Sequence, residues 1–304
     1  MKRMLNLTPS EMIDLSKEEL LYAIAASEGR VLASETIGIA MPMLVDISNA
    51  ELSAAMGADI IILNLFDVDD PVVNGIPNCD KKDVIRKIKE LTGRVVGINL
   101  EPVENDVEQD DIWKMSGGRY ATVENAIKAY EMGADFIILT GNPGNGVTNS
   151  AIASSLKKIS SVLGDKLVLV AGKMHASGSL TECGENIIIK DDITLFAENG
   201  ADIILMPAPM TVPGITTEYI RSLVSHAHSL GKLTLTAIGT SQEGADTDTI
   251  KRIALECKMT GVDIHHIGDS GYMGMALPEN IFAYSVAIRG VRHTYRRMAS
   301  SLKR

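Results

Sequence analysis

Four side chains capable of acid–base chemistry stand at the ends of short apolar runs in this chain of 304 residues. Glu35 and Glu101 close two of these runs, and Lys173 and His175 close a third. A carboxylate can exchange a proton or bind a divalent cation, and a lysine can act as an acid, a base or a Schiff-base former. If these groups meet, with Lys173 as the acid or base and a glutamate as its partner, they form a catalytic set.

The apolar runs that carry these residues alternate with a second, repeated kind of run. The phrase EMGADFIIL (131–139) recurs as AMGADIIIL (55–63), ENGADIILM (198–206) and, more loosely, MTGVDIHHI (259–267). The other four runs open at Gly29, Gly93, Gly164 and Gly231. Short apolar runs bounded by glycine or aspartate are typical of strands that are covered on both faces. Eight such strands with helical stretches between them predict an α/β fold, a single (β/α)8 TIM barrel.

The spacing of the runs also predicts the domain organisation. We expect strands to begin near residues 31, 60, 95, 136, 167, 203, 233 and 263, and the final helix to span residues 278–298. Residues 1–29 form an N-terminal helical extension, in which a helix over about 17–27 closes the bottom of the barrel. Residues 30–304 form the TIM-barrel domain.

The alternation of side chains along a strand predicts which of them point into the barrel. On the odd-numbered strands we place the smaller residues inside and the bulky apolar residues against the helices. The same reasoning on the even-numbered strands turns His265 toward the helices. The residues predicted to point inward at the C-terminal mouth, where TIM-barrel chemistry takes place, are Glu35, Asn64, Asn99, Glu101, Thr140, Lys173 and His266.

A charged side chain that points into a barrel is costly unless it is paired or solvated at the mouth. The alternative to a catalytic set is therefore an internal ion pair of Lys173 with the glutamates that only shapes the top of the barrel. Glu35 and Glu101 are also candidate Mg²⁺ ligands, although no cofactor is certain from the sequence. Each of His175 and His266, taken alone, also fits a hydrogen-bonded core or loop histidine.

Glycine-rich loops follow the last two predicted strands, at the place where many TIM barrels bind phosphate. Glycine lets backbone N–H groups approach an anion, and hydroxyl groups add donors. Glu243 and Asp269 bring negative charge to the same loops, so ordinary loop chemistry is the alternative. The glycine-rich loop 141–149 is an equal candidate for polar contacts. The predicted substrate- or phosphate-binding residues are Asn64, Asn99, Thr140, Asn142, Gly239, Thr240, Ser241, His266, Gly268, Ser270 and Gly271.

The composition excludes several classes of function. A net charge of −10 argues against nucleic-acid binding, which needs a basic face. No apolar run approaches the roughly 18 residues of a membrane span, and the N-terminus lacks a signal-peptide core. Cys79, Cys183 and Cys257 are odd in number and widely spaced, unlike a disulfide or zinc framework. We expect a cytoplasmic protein with no nucleic-acid or membrane partner.

The C-terminal end of the chain is basic. Such a cluster can bind an anion or a second subunit, or it can be a solvated helix end favoured by the helix dipole. We expect a homo-oligomer, without a defined number of subunits. The basic residues are Arg289, Arg292, Arg296, Arg297, Lys303 and Arg304.

Four blocks of the sequence, ASEGR (26–30), GINLEPV (97–103), LTGNPGNGVTN (139–149) and AGKMHASG (171–178), carry a family resemblance. They resemble the signature blocks of an uncharacterised bacterial TIM-barrel family, loosely named phosphonomutase-like protein or haloacid-dehalogenase-like hydrolase. The resemblance covers nearly the whole chain and implies the barrel fold. Its phosphonomutase-like or isocitrate-lyase-like interpretation implies Mg²⁺ held by carboxylates at strand ends, although NLEPVEND stands where those enzymes carry D-x-D-x-G-Y-G.

These observations predict an enzyme that acts on a small anionic metabolite, with a phosphorylated one favoured, by lyase or isomerase chemistry at the mouth of the barrel. A phosphatase-type hydrolase is disfavoured. One alternative is a non-catalytic metabolite-binding or regulatory barrel, and another is a Mg²⁺-dependent enzyme of the phosphonomutase or isocitrate-lyase type. An open pocket on which Lys173, Glu35 and Glu101 converge would favour catalysis.

Overall fold

A computed structural model of the protein describes residues 1–103, 115–141, 146–176 and 180–304. Its eight strands are all parallel and close into a barrel in chain order, which confirms the predicted (β/α)8 fold. Two strands begin one residue later than predicted, and the other six begin where predicted. The strands are Val31–Ile37 (β1), Ile60–Asn64 (β2), Val95–Leu100 (β3), Phe136–Leu139 (β4), Val168–Gly172 (β5), Ile203–Pro207 (β6), Leu233–Ile238 (β7) and Ile264–Ile267 (β8).

Two helices precede the barrel, and one long helix follows each strand. Thr8 and Ser16 start the first two helices, each through a capping box with the glutamate three residues later. The helices are Pro9–Met12 (α1), Lys17–Ala25 (α2), Asn49–Ala55 (α3), Val84–Thr92 (α4), Val123–Glu131 (α5), Asn149–Leu163 (α6), Lys190–Glu198 (α7), Thr217–Ser229 (α8), Thr247–Thr260 (α9) and Pro278–Ala299 (α10).

The N-terminal segment closes the bottom of the barrel, as the sequence predicts. Leu20, Ala23 and Ile24 of α2 form one buried cluster with the inward side chains of the strands. A separate cluster, made by the outward side chains of the strands and the surrounding helices, forms the larger core. The barrel interior is thus sealed below, and only its C-terminal mouth is available for a site.

Gly97 makes room for the ring of Phe136 inside the barrel. It pairs with Phe136 across β3 and β4, and a Cβ atom at position 97 would lie 2.5 Å from the Phe136 ring. Because the interior is close-packed, the missing side chain on β3 and the large one on β4 complement each other. The small inward residue predicted at position 97 therefore has a direct packing reason.

Strand β5 departs from the predicted orientation. Val168 and Val170 belong to the inner cluster, whereas Leu169 and Ala171 pack in the outer cluster against the helices. Sorting by size assigned the opposite orientation, because both sets of β5 residues are apolar and differ little in volume. Lys173 continues the outward set, so its predicted inward orientation is wrong.

The aspartates of the repeated sequence motif link neighbouring strands at the bottom of the barrel. In its four copies the aspartate stands just before an even-numbered strand and accepts a hydrogen bond from the second residue of the preceding odd-numbered strand, at 2.8–2.9 Å. Each aspartate also pairs with cationic or imidazole side chains from an outer helix or from α2. The pairs are Asp59 with Arg289 and Arg297, Asp135 with Lys89, Asp202 with Lys17, and Asp263 with His228.

The copy at Asp59 lies in the most deeply buried charged cluster among the described residues. Arg289 and Arg297 of α10 bond its two carboxylate oxygens, and all three side chains are buried. Arg94 lies beside them and donates to Ala58 O, at 2.6 Å, and to carbonyl groups in the last turns of α3 and α4. Carbonyl groups at helix ends carry negative partial charge, which offsets the surplus of guanidinium groups.

This cluster changes the interpretation of the basic C-terminal end. Arg297 also donates to Met4 O at 2.6 Å and to Leu7 O at 3.3 Å, which ties the N-terminal segment to α10. Arg296 donates to Leu5 O at 2.7 Å. Arg289 and Arg297 are therefore buried structural groups, so the predicted anion-binding, subunit-contact or solvated role is wrong for these two residues.

None of the helices in the described part of the chain is both long enough and apolar enough to cross a membrane.

Candidate active site

A cavity of about 380 Å³ opens at the C-terminal mouth of the barrel. Four carboxylates and one guanidinium group line its described part. A hollow of about 630 Å³ near the N-terminus is lined by residues of the first nineteen, at the opposite end of the barrel. We take the mouth cavity as the candidate site because chemistry in TIM barrels takes place at the C-terminal ends of the strands. The lining residues are Glu35, Asn64, Leu65, Asn99, Glu101, Arg119, Thr140, Gly141, Met174, His175, Gly239, Ser241, Glu243, Gly268, Asp269, Gly271 and Tyr272.

Glu35 is the centre of a buried hydrogen-bond network in this cavity. Asn99 Nδ2 donates to Glu35 Oε1 at 2.5 Å and to Asn64 Oδ1 at 3.1 Å, and His266 Nε2 lies 3.4 Å from Glu35 Oε2. Asn64 Nδ2 in turn donates to Asp269 Oδ2 at 2.7 Å. The strands β1, β2, β3 and β8 each contribute one of the first four side chains, which confirms their predicted inward orientation.

Asp269 has the most strongly perturbed acidity in the cavity. Burial raises the pKa of its carboxyl group to about 7, and the charges of Glu35 and Glu243 act in the same direction. Hydrogen bonds from Asn64 and from the backbone N–H of Gly271 oppose this effect only in part. Asp269 therefore exchanges a proton near neutral pH, as a group active in acid–base catalysis must.

Glu243 lies in the turn after β7 and faces the same cavity. Burial raises the pKa of its carboxyl group, while the backbone N–H of Ser270 and the charge of His266 lower it. Glu243 Oε1 accepts from Ser270 N at 3.2 Å, whereas Glu243 Oε2 is buried and lacks a hydrogen-bond partner. Glu35, Glu243 and Asp269 thus form an acidic side of the cavity, which comes from the adjacent strands β7, β8 and β1.

The loops after β7 and β8 do not present the free phosphate cradle that the sequence predicts. The N–H of Ser270 is bonded to Glu243, and that of Gly271 donates to Asp269 Oδ1 at 2.8 Å. The Thr240 hydroxyl donates to Thr211 O at 2.7 Å. Gly268 serves packing, since a Cβ atom there would lie 2.6 Å from Ile238 O. Carboxylates of the chain occupy donors that were expected to bind an anion, which argues against phosphate at this position.

Three of the six non-glycine residues with positive φ in the described part of the chain lie at the cavity. Leu65, Ser241 and Ser270 adopt left-handed conformations, with φ of 53°, 78° and 55°. Leu65 and Ser241 line the cavity, and Ser270 stands between two residues that do. Left-handed non-glycine residues are unfavourable and tend to occur at functional sites, so their position supports the choice of this cavity.

Arg119 is the guanidinium group on the opposite wall, beside β3. It pairs with Glu101 through Nη2, while its Nε is buried and has no hydrogen-bond partner. The pairing follows from a local bridge, in which Glu101 N donates to Arg119 O at 2.9 Å. Glu101 therefore faces the cavity as predicted, but its partner is Arg119. The Nε–H group of Arg119 can therefore donate a hydrogen bond to one oxygen atom of an anion.

Lys173 does not join this group. Its ammonium is bonded to Glu182, and the side chain is only 1% exposed, outside the set of residues that line the cavity. Glu35 and Glu101 bond to Asn99 and Arg119 instead. The predicted convergence of Lys173 with the two glutamates is therefore wrong, because β5 turns this residue outward.

We expect the pair of Lys173 and Glu182 to be structural, and two substitutions test this. Glu182→Gln leaves a buried ammonium without its carboxylate, so the free energy of unfolding should fall by about 1–3 kcal/mol. Lys173→Met leaves only Glu182, whose side chain is 34% exposed and can turn to water, so it should cost less. Urea denaturation of both variants measures the order. A Lys173→Met variant that keeps its stability but loses all turnover would restore the catalytic role predicted from sequence.

His175 lines the cavity, and burial lowers the pKa of its imidazole, with the charge of Lys173 acting in the same direction and that of Glu35 opposing it. Burial therefore favours the neutral imidazole, which can accept or donate a hydrogen bond. His265 packs outward as predicted, with Nε2 3.0 Å from Gly29 O and Nδ1 3.2 Å from the hydroxyl of Tyr284. Thr140 lines the cavity, and Asn142 lies outside the described residues.

Among residues 1–103, 115–141, 146–176 and 180–304 we find no cluster of side chains that is already arranged to bind the predicted Mg²⁺ ion. No group of three or more His, Cys, Asp or Glu side chains there is arranged to hold a metal ion. Glu35 and Glu101, the predicted ligands, are bonded to different partners. Magnesium binding through one or two carboxylates and water molecules stays a prediction.

Three important residues of the site were not predicted as functional from the sequence. Asp269 and Glu243 were noticed only as unfavourable charges in a phosphate loop. Arg119 gave no signal, because a single arginine after the turn 116–118 resembles any solvated loop residue. The signal that could have found the two acids was their position one or a few residues beyond the ends of β8 and β7, where barrel side chains reach the mouth.

Comparison with known proteins agrees with the fold. A family model described as "Domain of unknown function (DUF7916)" matches residues 5–304. An archaeal fructose 1,6-bisphosphate aldolase is 13% identical, with a TM-score of 0.55, and the match covers 90% of this chain and 98% of that one. The 2,3-dimethylmalate lyase, a PEP mutase/isocitrate lyase superfamily member, is 12% identical, with a TM-score of 0.51 and coverage of 86% and 81%.

A search of the curated proteins found no match to this chain. At such low identities the two solved structures support the shared barrel alone. The matching family model carries neither a phosphonomutase nor a hydrolase description, so the finer part of the resemblance predicted from sequence is not supported.

Proposed function

We propose that this chain, which belongs to the DUF7916 family, is a TIM-barrel enzyme that transfers a proton at a carbon atom of a small anionic metabolite, in a lyase or isomerase reaction. The observation that carries the proposal is the pKa of Asp269, raised to about 7 by burial at the mouth of the barrel. A carboxyl group that holds a proton near neutral pH inside a substrate-sized cavity is suited to general acid–base catalysis.

In this proposal Asp269 is the general acid. It delivers its proton to the reacting carbon or to a leaving oxygen, and the Glu35 carboxylate accepts a proton on the same side of the cavity. Asn99 and His266 hold Glu35 in place through their contacts at 2.5 and 3.4 Å. Asn64 orients Asp269 in the same way, at 2.7 Å. Fixed partners of this kind keep an acid and a base in a productive geometry.

The anionic group of the substrate has a natural place at Arg119. A carboxylate or phosphate there accepts from the free Nε and competes with Glu101 for the rest of the guanidinium group. That two barrels of similar fold are named as a lyase and an aldolase is compatible with this chemistry, as an analogy of fold.

Deuterium exchange tests the proposal before any substrate is known. Small 2-oxo acids, 2-hydroxy acids and sugar phosphates are incubated with the protein in D₂O, and their C–H signals are followed by proton NMR. We expect protein-dependent loss of signal at a carbon beside a carbonyl or hydroxyl group in at least one compound. Compounds that bind in the cavity yet show neither exchange nor conversion would instead favour the non-catalytic, metabolite-binding barrel.

The same experiment separates the Mg²⁺-dependent alternative. Exchange that continues in the presence of EDTA would support the metal-free acid–base route. Exchange that appears only after Mg²⁺ is added would favour an enzyme of the phosphonomutase or isocitrate-lyase type. The surplus of carboxylates in the cavity is the one observation that keeps this alternative in view.

A further inference from the structure

His266 Nδ1 and Ser270 Oγ lack a hydrogen-bond partner next to the mouth cavity, and three further atoms lack one among the described residues that line it. Two of them are acceptors, Asn99 Oδ1 and Glu243 Oε2, and their side chains belong to residues only 7% and 4% exposed. The third is a donor, Arg119 Nε, beside β3. Buried polar atoms are nearly always hydrogen-bonded, so these three indicate where a ligand completes the site.

The orientation of Asn99 is set by its neighbours. Its Nδ2 donates to Glu35 and to Asn64 Oδ1, so its Oδ1 must be the atom left as an acceptor. For Glu243, Oε1 is already bonded to Ser270 N, which leaves Oε2. Both open positions therefore call for a hydrogen-bond donor on the ligand.

Charge in the cavity is divided between two walls. Glu35, Glu243 and Asp269 come from β1 and from the ends of β7 and β8, which are neighbours in the closed barrel. Arg119 lies beside β3, which is across the eight-stranded ring from β7. One wall is thus acidic, with Glu243 Oε2 as its unpaired acceptor, and the wall at β3 carries the unpaired donor Arg119 Nε together with Asn99 Oδ1.

We propose that the substrate carries a protonated amine at one end and a carboxylate or phosphate at the other. The ammonium group lies on the acidic wall and donates to Glu243 Oε2, and the anionic group accepts from Arg119 Nε. This inference rests on the proposed function in that it concerns the same cavity, and it narrows the substrate class from an anion to a zwitterion. An ammonium group has three donors and no acceptor, which suits a wall of acceptors.

Two other occupants of the acidic wall fit less well. A neutral hydroxyl group can donate one hydrogen bond but leaves the surplus negative charge uncompensated in a buried site. A Mg²⁺ ion requires near-octahedral oxygen ligands, and the described residues hold no group of side chains arranged for a metal. An ammonium group supplies both the charge and the donors.

Three probes with the same two-carbon chain test the proposal: 2-aminoethyl phosphate, 2-hydroxyethyl phosphate and ethyl phosphate. Their affinities are measured by isothermal titration calorimetry or by NMR titration of the full chain. We expect the amine to bind at least about tenfold more tightly than ethyl phosphate, a difference that corresponds to one well-placed charged contact. The hydroxyl compound should fall between them.

Substitutions on the acidic wall test whether the preference for the amine arises there. Glu243→Gln keeps an oxygen for Ser270 N but removes the negative charge, so it should abolish most of the preference for the amine and leave the affinity for ethyl phosphate unchanged. Asp269→Asn provides a second variant on the same wall. Glu218→Gln changes an exposed carboxylate on the outer helix α8 and should leave all three affinities as in the unaltered chain.

The outcomes that overturn the proposal are distinct. Ethyl phosphate binding as tightly as the amine, or no binding of the amine in the tens of millimolar range, each exclude an ammonium site on this wall. None of these measurements requires turnover. A clear preference for the amine without any deuterium exchange would therefore support the zwitterion site and contradict only the proposed catalysis.

Discussion

Replacement of Asp269 by asparagine is expected to lower kcat/KM by about 10²–10⁴-fold, the usual contribution of a general acid or base. The amide keeps the size of the side chain and its hydrogen bond to Asn64 but cannot deliver a proton. In the unaltered protein, kcat/KM should fall as the pH rises above about 7, where the buried Asp269 loses its proton. The measurement is a pH–rate profile, in which the variant should lack this decline.

The same substitution should stabilise the protein at high pH. The pKa of Asp269 is raised from 3.8 to about 7 in the folded chain, so the folded state binds the proton more tightly than the unfolded state. The stability it contributes is present at low pH and is lost as the pH rises through about 7. Because asparagine resembles the protonated form, Asp269→Asn should raise the free energy of unfolding at pH 8 by about 1–3 kcal/mol and change little at pH 4.

The expected loss of activity and gain of stability in Asp269→Asn distinguish an effect on catalysis from an effect on folding. Asp165→Asn, which changes an exposed aspartate, is the matched control and should alter neither activity nor stability. A variant Asp269→Asn that is less stable at pH 8, or that retains full activity with an unchanged pH profile, would refute the assignment of Asp269 as the acid.

The second large effect is expected at the bottom of the barrel. Asp59→Asn should lower the free energy of unfolding by about 3–5 kcal/mol, the usual result of removing one partner from a buried ion pair. Burial alone would raise the pKa of Asp59, but Arg289 and Arg297 and the N–H of Leu32 hold it below its usual value. The carboxylate is therefore charged at all ordinary pH values, and its loss leaves the guanidinium groups uncompensated. Urea denaturation at pH 6 and pH 8 measures the effect.

Asp135→Asn is the control for this prediction, because it changes another copy of the same repeat. Burial raises the pKa of Asp135 to about 6 even though Lys89 is 2.6 Å away. Because this pKa is raised from 3.8, the charged form of Asp135 is disfavoured in the folded chain, so asparagine should cost little at pH 6 and no more than that at pH 8. Equal losses for Asp59→Asn and Asp135→Asn at pH 6 would contradict the special role of the arginine cluster.

Much of the site's framework could be predicted from the sequence because it depends on local patterns. The inward orientation of Glu35 and Asn99 followed from side-chain alternation along strands on which the inward residues Ala33 and Gly97 are small. The same rule failed at β5, where Val168 and Leu169 alternate as two similar apolar residues and size does not distinguish the faces. An error of one residue in orientation moved Lys173 from the helix side to the mouth.

The sequence by itself determined the number of strands, their starting points and the closed barrel, since each repeat carries its own strand, turn and aspartate. It did not determine which charges meet. Glu101 with Arg119, Lys173 with Glu182, and Asp59 with Arg289 and Arg297 join residues 9 to 238 positions apart. The pKa of Asp269 likewise depends on burial and on Glu35, which is distant in sequence. Electrostatic energy depends on distance and solvent exposure in three dimensions, and only the folded barrel decides both.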